Sequence, residues 1–183
     1  VYDAVAKVPT EGLDAVGRYF VERSVRDFKL AGVDKDEATR TRISEINDEL
    51  TKLSQEYQKA VNSDTRSVSV EATAIASLPE DWQKAHAPGA DGKVTVTTDY
   101  PDIGPFLTYS DDAAARKALA NASAARGFPA NAEVLKKILG LRAELAGLIG
   151  YPNYAALDLA DKMTGAPEVV ETFLAGARDA ATT

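Results

Sequence analysis

The sequence predicts a mainly α fold, a multi-helix bundle of antiparallel helix pairs with a minor short β element around residues 67–71 and 93–98. Three observations predict it. Apolar residues recur at helical spacing along most of the chain, which marks amphipathic helices. Capping residues, glycines and prolines punctuate those runs where helices should start and stop. Only Ser67–Val70 and Lys93–Thr98 alternate with the period of two expected of strands. The 183 residues suffice for one domain with a real core, and 45% hydrophobic with 27% charged content is ordinary for a globular chain.

Taken in order, Pro9 and Thr10 lead into a first helix, with Thr10 as its cap. That helix runs to about Leu30 with Leu13, Val16, Phe20 and Phe28 as its inward stripe, and Gly32 ends it. Glu22 and Arg26 are spaced as an i,i+4 ion pair. The longest helix spans Asp36 to about Asn62. Ile43, Ile46, Leu50, Leu53, Tyr57 and Ala60 repeat along it at 3-4 spacing. Such a seam fits a helix laid along its own bundle or a self-associating coiled coil. The neighbours carry no charge code for a second chain, which favours the first.

The two alternating stretches could pair, although 20-odd residues separate them, too many for a tight hairpin. Between them, Ser77 reads as the cap of a brief helix with Pro79 in its first turn. Residues 87–92 form a Pro/Gly-rich loop, and Asp99–Pro105 reads as irregular, anchored by Phe106, Leu107 and Tyr109. Ser110 reads as the cap of an alanine-rich helix that ends near Arg126-Gly127. Asp111 and Asp112 fit that helix start, where carboxylates meet the positive end of the dipole. Asn131 reads as the cap of a helix with Leu135, Ile138, Leu141, Leu145, Leu148 and Ile149 on one face. Gly150 stops it, and Asn153 caps a partner helix reaching Met163. Pro167 opens a last helix with Val169, Val170, Phe173, Leu174 and Ala177 turned inward.

Composition narrows the function classes. The net charge of −7 argues against nucleic acid, whose binders need a basic surface, and against an anionic membrane face. No cysteine is present, so disulfides, thiolate metal sites and cysteine nucleophiles are excluded, in keeping with a cytoplasmic setting. His86 is the only histidine, and a lone loop histidine reads as a solvated residue. It could not supply a common three-ligand zinc site, and no nucleophile elbow or phosphate loop accompanies it. Trp82, Tyr100 and Tyr109 fit either a peptide-contacting patch or core and hinge anchors. No residue is assigned a catalytic, cofactor-binding or metal role.

Particular words carry more than periodicity. Leu141-Arg142-Ala143-Glu144-Leu145-Ala146 is followed by Leu148-Ile149-Gly150-Tyr151, Asn153-Tyr154-Ala155 and Lys162-Met163. Upstream stand Arg26-Asp27-Phe28 with Ala31-Gly32-Val33, Leu78-Pro79-Glu80-Asp81, Val94-Thr95-Val96-Thr97 with Tyr100-Pro101, then Arg116 and Arg126. This ordered set resembles the thimet oligopeptidase, oligopeptidase A and dipeptidyl carboxypeptidase family over nearly the whole chain. Thr164-Gly165 after Met163 departs from the family's usual wording.

The resemblance implies a mostly helical, channelled zinc peptidase acting on short peptides. Its metal site is a His-Glu-x-x-His helix with a later Glu, and no such motif can be drawn from His86-Ala87-Pro88-Gly89-Ala90. The chain is therefore expected to be one helical domain, 1–183, cut from a larger two-lobed peptidase. It would form channel wall, with no cofactor of its own, zinc in the full-length parent, and short peptides and the parent's catalytic half as partners. The alternative is an independent helical module that binds peptides or a protein without catalysis. The first reading also predicts a larger exposed apolar patch than monomers usually show.

Overall fold

Helical periodicity prevails along most of the chain, as expected. The computed structural model describes residues 1–182. In order they form α1 (Tyr2–Ala6), α2 (Ala15–Leu30), α3 (Glu37–Ser63), β1 (Ser67–Glu71), a 3-10 turn (Ala72–Ile75), α4 (Glu80–Ala85) and β2 (Lys93–Thr97). Then come α5 (Tyr100–Tyr109), α6 (Ala113–Ala124), α7 (Asn131–Ile149), α8 (Tyr154–Leu159) and α9 (Pro167–Ala181). No helix among the described residues is long and apolar enough to cross a membrane. The chain divides into two units, Val1–Leu53 with the stretch from Lys136 onward, and Ser54–Leu135.

The first unit is built on the α3 seam. Ile43 and Ile46 pack with Leu145, Ala146 and Ile149 of α7 and Leu157 of α8, flanked by Leu30, Leu50, Leu141, Leu148, Tyr151 and Tyr154. The first half of the seam is thus covered by its own chain. Asp36 starts α3 by accepting from the Thr39 amide and hydroxyl at 2.9 and 2.8 Å, and those bonds hold its carboxyl below the usual range. Arg42 forks onto Glu144 with bonds of 2.6 and 2.9 Å, joining α3 to α7. Gly32 closes α2 at φ +73, and a Cβ there would lie 2.4 Å from Ile43 Cδ1.

The second unit packs helices on a small sheet. β1 and β2 pair antiparallel from Ser67↔Thr97 to Glu71↔Lys93. The register sets Val68 opposite Val96 and Val70 opposite Val94, so the valines share one face. That face meets Ala74, Ile75, Leu78, Phe106, Ala115 and Leu119. The connection between the strands is filled by the 3-10 turn and α4, so their long separation in sequence is no obstacle. Arg126 ties the end of α3 to this unit by donating to the carbonyls of Val61 and Asp64. Asp64 accepts from Arg66 and from the Gly127 amide, and those bonds hold its carboxyl low.

Several local expectations are corrected. The first long helix is capped by Asp14, which accepts from Gly17 at 2.8 Å, so Thr10 is not its cap. Arg23, not Glu22 with Arg26, forms the i,i+4 pair on α2, with Asp27 at 3.6 Å. Asp112 caps α6 through two 2.9 Å bonds. Ser110 and Ser77 instead donate to the carbonyls of Ala74 and Tyr109, stitching α5 to the 3-10 turn. Asn131 is buried within the first turn of α7, with its amide on the Tyr57 carbonyl and its side-chain oxygen without a partner, so it is no cap. Asn153 does cap α8, at 2.9 Å from the Ala156 amide, but that helix ends at Leu159, short of Met163.

Asp99–Pro105 is not irregular, because α5 runs through it. Pro101 sits in the first turn, where its missing N–H is no loss. Pro105 lies inside the helix and cannot donate to the Pro101 carbonyl. The Trp82 indole supplies that donor instead, at 3.2 Å. Phe106 is fully buried as expected, whereas Leu107 and Tyr109 are exposed. Five apolar positions of α9 and α7 expected inward are likewise exposed: Val169, Phe173, Leu174, Ala177 and Leu135.

Candidate functional site

His86 is not the solvated loop residue that its neighbours suggest. It ends α4, stacks on Trp82 with ring centroids 3.7 Å apart and planes 8° from parallel, and its side chain is 17% exposed. Nδ1 lies 2.8 Å from the Trp82 carbonyl and Nε2 lies 3.0 Å from Asp102 Oδ1. The other Asp102 oxygen accepts from the Thr97 amide and hydroxyl. Burial pushes the Asp102 carboxyl up, but the bonds from Thr97 and His86 outweigh it and hold the group below the usual carboxylate range. This is a carboxylate–imidazole pair without a nucleophile: Thr97 donates to Asp102 rather than to the ring, and neither ring nitrogen is left for a reacting proton.

Hollows in the first unit adjoin the end of α7. A groove of 470 Å³ is lined by Val25, Arg26, Lys29 and Leu30 of α2, Asp34, and Ile149, Gly150 and Tyr151 at the end of α7. Its lining mixes apolar side chains with both signs of charge, a composition suited to a peptide side chain beside a polar group. A smaller one, 230 Å³, adjoins it through Leu30 and Ile149 and reaches Asp158 of α8 with Asp161 and Lys162 beyond that helix. Arg142 lies 4.8 Å above the Tyr154 ring nearby.

The aromatic candidates are not gathered into one patch. Trp82 packs on His86 and Phe106, while Tyr100 and Tyr109 are exposed at opposite ends of α5. Asp112 is spent as a helix cap, which accounts for that end of the Asp111-Asp112 pair without chemistry. Among the described residues, no group of three His, Cys, Asp or Glu side chains could hold a metal ion. What sequence reasoning missed is which apolar faces stay open. Val16, Tyr19 and Phe20 on α2 are 74%, 60% and 68% exposed, and Phe173 on α9 is 74% exposed. Periodicity locates such a face without saying whether anything covers it.

The residues that carry the family resemblance serve largely to build these elements. Arg116 donates to the Ser110 carbonyl, Arg126 clamps the α3 terminus, Gly32 admits Ile43, and Glu144 holds Arg42. Comparison with known proteins agrees with the resemblance. The model of Peptidase family M3 matches residues 106–183. Oligopeptidase A of Escherichia coli strain K12 is 33% identical over 178 residues, covering 88% of this chain and 26% of that protein. Mitochondrial intermediate peptidase of Phaeosphaeria nodorum is 30% identical, covering 90% of this chain and 20% of its own length. Saccharolysin of Saccharomyces cerevisiae is 29% identical, covering 87% and 23%. The chain spans about a quarter of the length of the curated relatives it matches. With one residue in three shared with oligopeptidase A along most of its length, the chain belongs to peptidase family M3.

Proposed function

We propose that this chain is a wall segment of a zinc-dependent oligopeptidase, shaping the channel that admits short peptides while the chemistry is carried by another part of the parent. The observation that carries this reading is the 33% identity with oligopeptidase A over 88% of the chain. The residues present do not fit a zinc ion. A catalytic zinc takes three protein ligands. The sole histidine already has both ring nitrogens on oxygen partners, and no three-ligand group stands elsewhere among the described residues. The open apolar faces of α2 and α9 are the surfaces on which the catalytic half of such a parent would pack. The parent is placed in the cytoplasm by the same reading, with no nucleic-acid or membrane partner.

The test is direct. The purified chain is incubated with zinc and a set of quenched fluorescent peptides of 5–15 residues, roughly the size a small-molecule-scale groove can meet. No hydrolysis and no stoichiometric zinc retention are expected. Peptide cleavage that tracks bound zinc would overturn the proposal. A second reading, a peptide-binding module without catalysis, is favoured by the 470 Å³ groove beside Arg26 and Lys29. It predicts that the chain alone binds the same peptides and that Lys29→Ala with Arg26→Ala weakens them. Wall residues without their other half should show no such binding.

A further inference from the structure

We propose that His86 is a proton-operated latch that holds α4 against α5, and that α4 with the following loop loosens when the ring loses its second proton. A backbone carbonyl can only accept, so the Nδ1 facing the Trp82 carbonyl must carry a hydrogen. The Asp102 carboxylate oxygen also accepts, so the Nε2 facing it must carry one too. A neutral imidazole has a single N–H and can serve only one of these partners. Only the imidazolium can make both bonds at once, with its face on the Trp82 ring and its Nε2 on a carboxylate.

The surroundings make the pair sensitive to the missing proton. His86 and Asp102 side chains are 17% and 18% exposed, so water replaces a lost partner poorly. Asp102 of α5 is the ionised group that faces the ring across the contact, and the Thr97 side chain of β2 holds its far oxygen. On α4 itself, Lys84 and Glu80 pair with each other at 2.8 Å, exposed to solvent. A second tether from α4 to α5 is the Trp82 indole donating to the Pro101 carbonyl, and that indole is the face on which the imidazolium stacks. One proton thus governs both a charge-assisted bond and the cation–π contact beside the second tether.

The chain has one tryptophan and one histidine, and they are stacked, so Trp82 emission reads the state of His86 directly. Emission and amide hydrogen exchange of α4 are followed from about pH 5 to about pH 8.5, the range in which histidines change charge. The expected result is a one-proton rise in Trp82 emission as the quenching imidazolium is lost. Over the same range, α4 protection should fall roughly ten- to a hundredfold relative to α6, the weight of one bond to a charged group. His86→Gln, which keeps a donor for Asp102 but has no proton to lose, should abolish both changes. An emission change that survives in His86→Gln, or α4 protection that does not move with pH in the native chain, overturns the proposal. Should His86→Gln fail to fold, the ring nitrogen resonances of the native chain decide. Both nitrogens protonated at the acid end, with α4 amide shifts following the loss of one, supports the latch. A neutral ring at the acid end refutes it.

Discussion

Removing the Trp82 indole donor should cost stability only because Pro105 is a proline. In a regular helix the amide of residue 105 would donate to the Pro101 carbonyl, and proline has no such amide. The indole fills the gap at 3.2 Å. Trp82→Phe keeps an aromatic ring against Phe106 and deletes the donor. The bond is near the surface, so water recovers part of it, and the donor is worth about 1 kcal/mol, with lost ring area adding about 1 more. Pro105→Ala alone should stabilise by about 1–3 kcal/mol, since it restores an amide and relieves an interior proline. The informative quantity is the coupling. With alanine at 105 the carbonyl has its own amide, so Trp82→Phe should cost about 1 kcal/mol less than in the native chain. Urea unfolding followed by far-ultraviolet circular dichroism measures all four variants, because the substitution removes the only tryptophan. Equal costs of Trp82→Phe in both backgrounds would refute the idea that the indole completes the α5 ladder.

Other perturbations follow from the two units. Gly32→Ala places a methyl 2.4 Å from Ile43 Cδ1 at φ +73, so it should cost more than the ~1–2 kcal/mol of left-handed strain alone, and Ile43→Val, which removes that Cδ1, should return the excess in a thermal melt. Ile46→Ala empties a fully buried position in the α3 seam and should cost about 2–5 kcal/mol by urea titration. Asp64 is held low chiefly by Arg66 and then by the Gly127 amide. A depressed carboxyl adds stability above its unfolded value near pH ~3.9 and loses it as pH falls through the folded value. Asp64→Asn should therefore flatten the acid limb of a stability-versus-pH curve, and an unchanged limb would count against the clamp. The Arg42–Glu144 fork is about two-fifths exposed on each side, so its double-mutant coupling should be small and should shrink from low to high salt.

Legibility in the sequence followed the range of the interaction. Helices set by their own periodicity and by a cap or glycine within four residues were readable: α3 with its seam, Gly32 after α2, Gly150 after α7, Asn153 before α8. Readings failed where a distant group decided the outcome. Asp99–Pro105 looks broken because it holds two prolines and a glycine, yet it is helical because Trp82, nineteen residues earlier, satisfies the carbonyl that Pro105 cannot. Ser77 and Ser110 look like caps because serines before acidic residues often are, yet their hydroxyls are drawn to carbonyls more than thirty residues away. His86 looks solvated among Ala, Pro and Gly, and nothing nearby in sequence announces Asp102.

The apolar faces expose a different limit. Val16 and Phe20 of α2, and Val169, Phe173 and Leu174 of α9, have the spacing of buried stripes, and the spacing is real. Periodicity reports that a face is apolar; burial further requires a partner, and here the partner is not supplied by the described residues. By contrast Ile43 and Ile46 of the α3 seam, whose spacing alone also allowed a second copy, are covered by Leu145, Ile149 and Leu157. The two cases separate what a family segment does for itself from what it leaves for others. Leu145 and Ile149, words of the M3 resemblance, build the first unit's interior. The open faces on α2 and α9 lie largely outside those words, as expected if their form answers to whatever packs on them rather than to the fold that presents them.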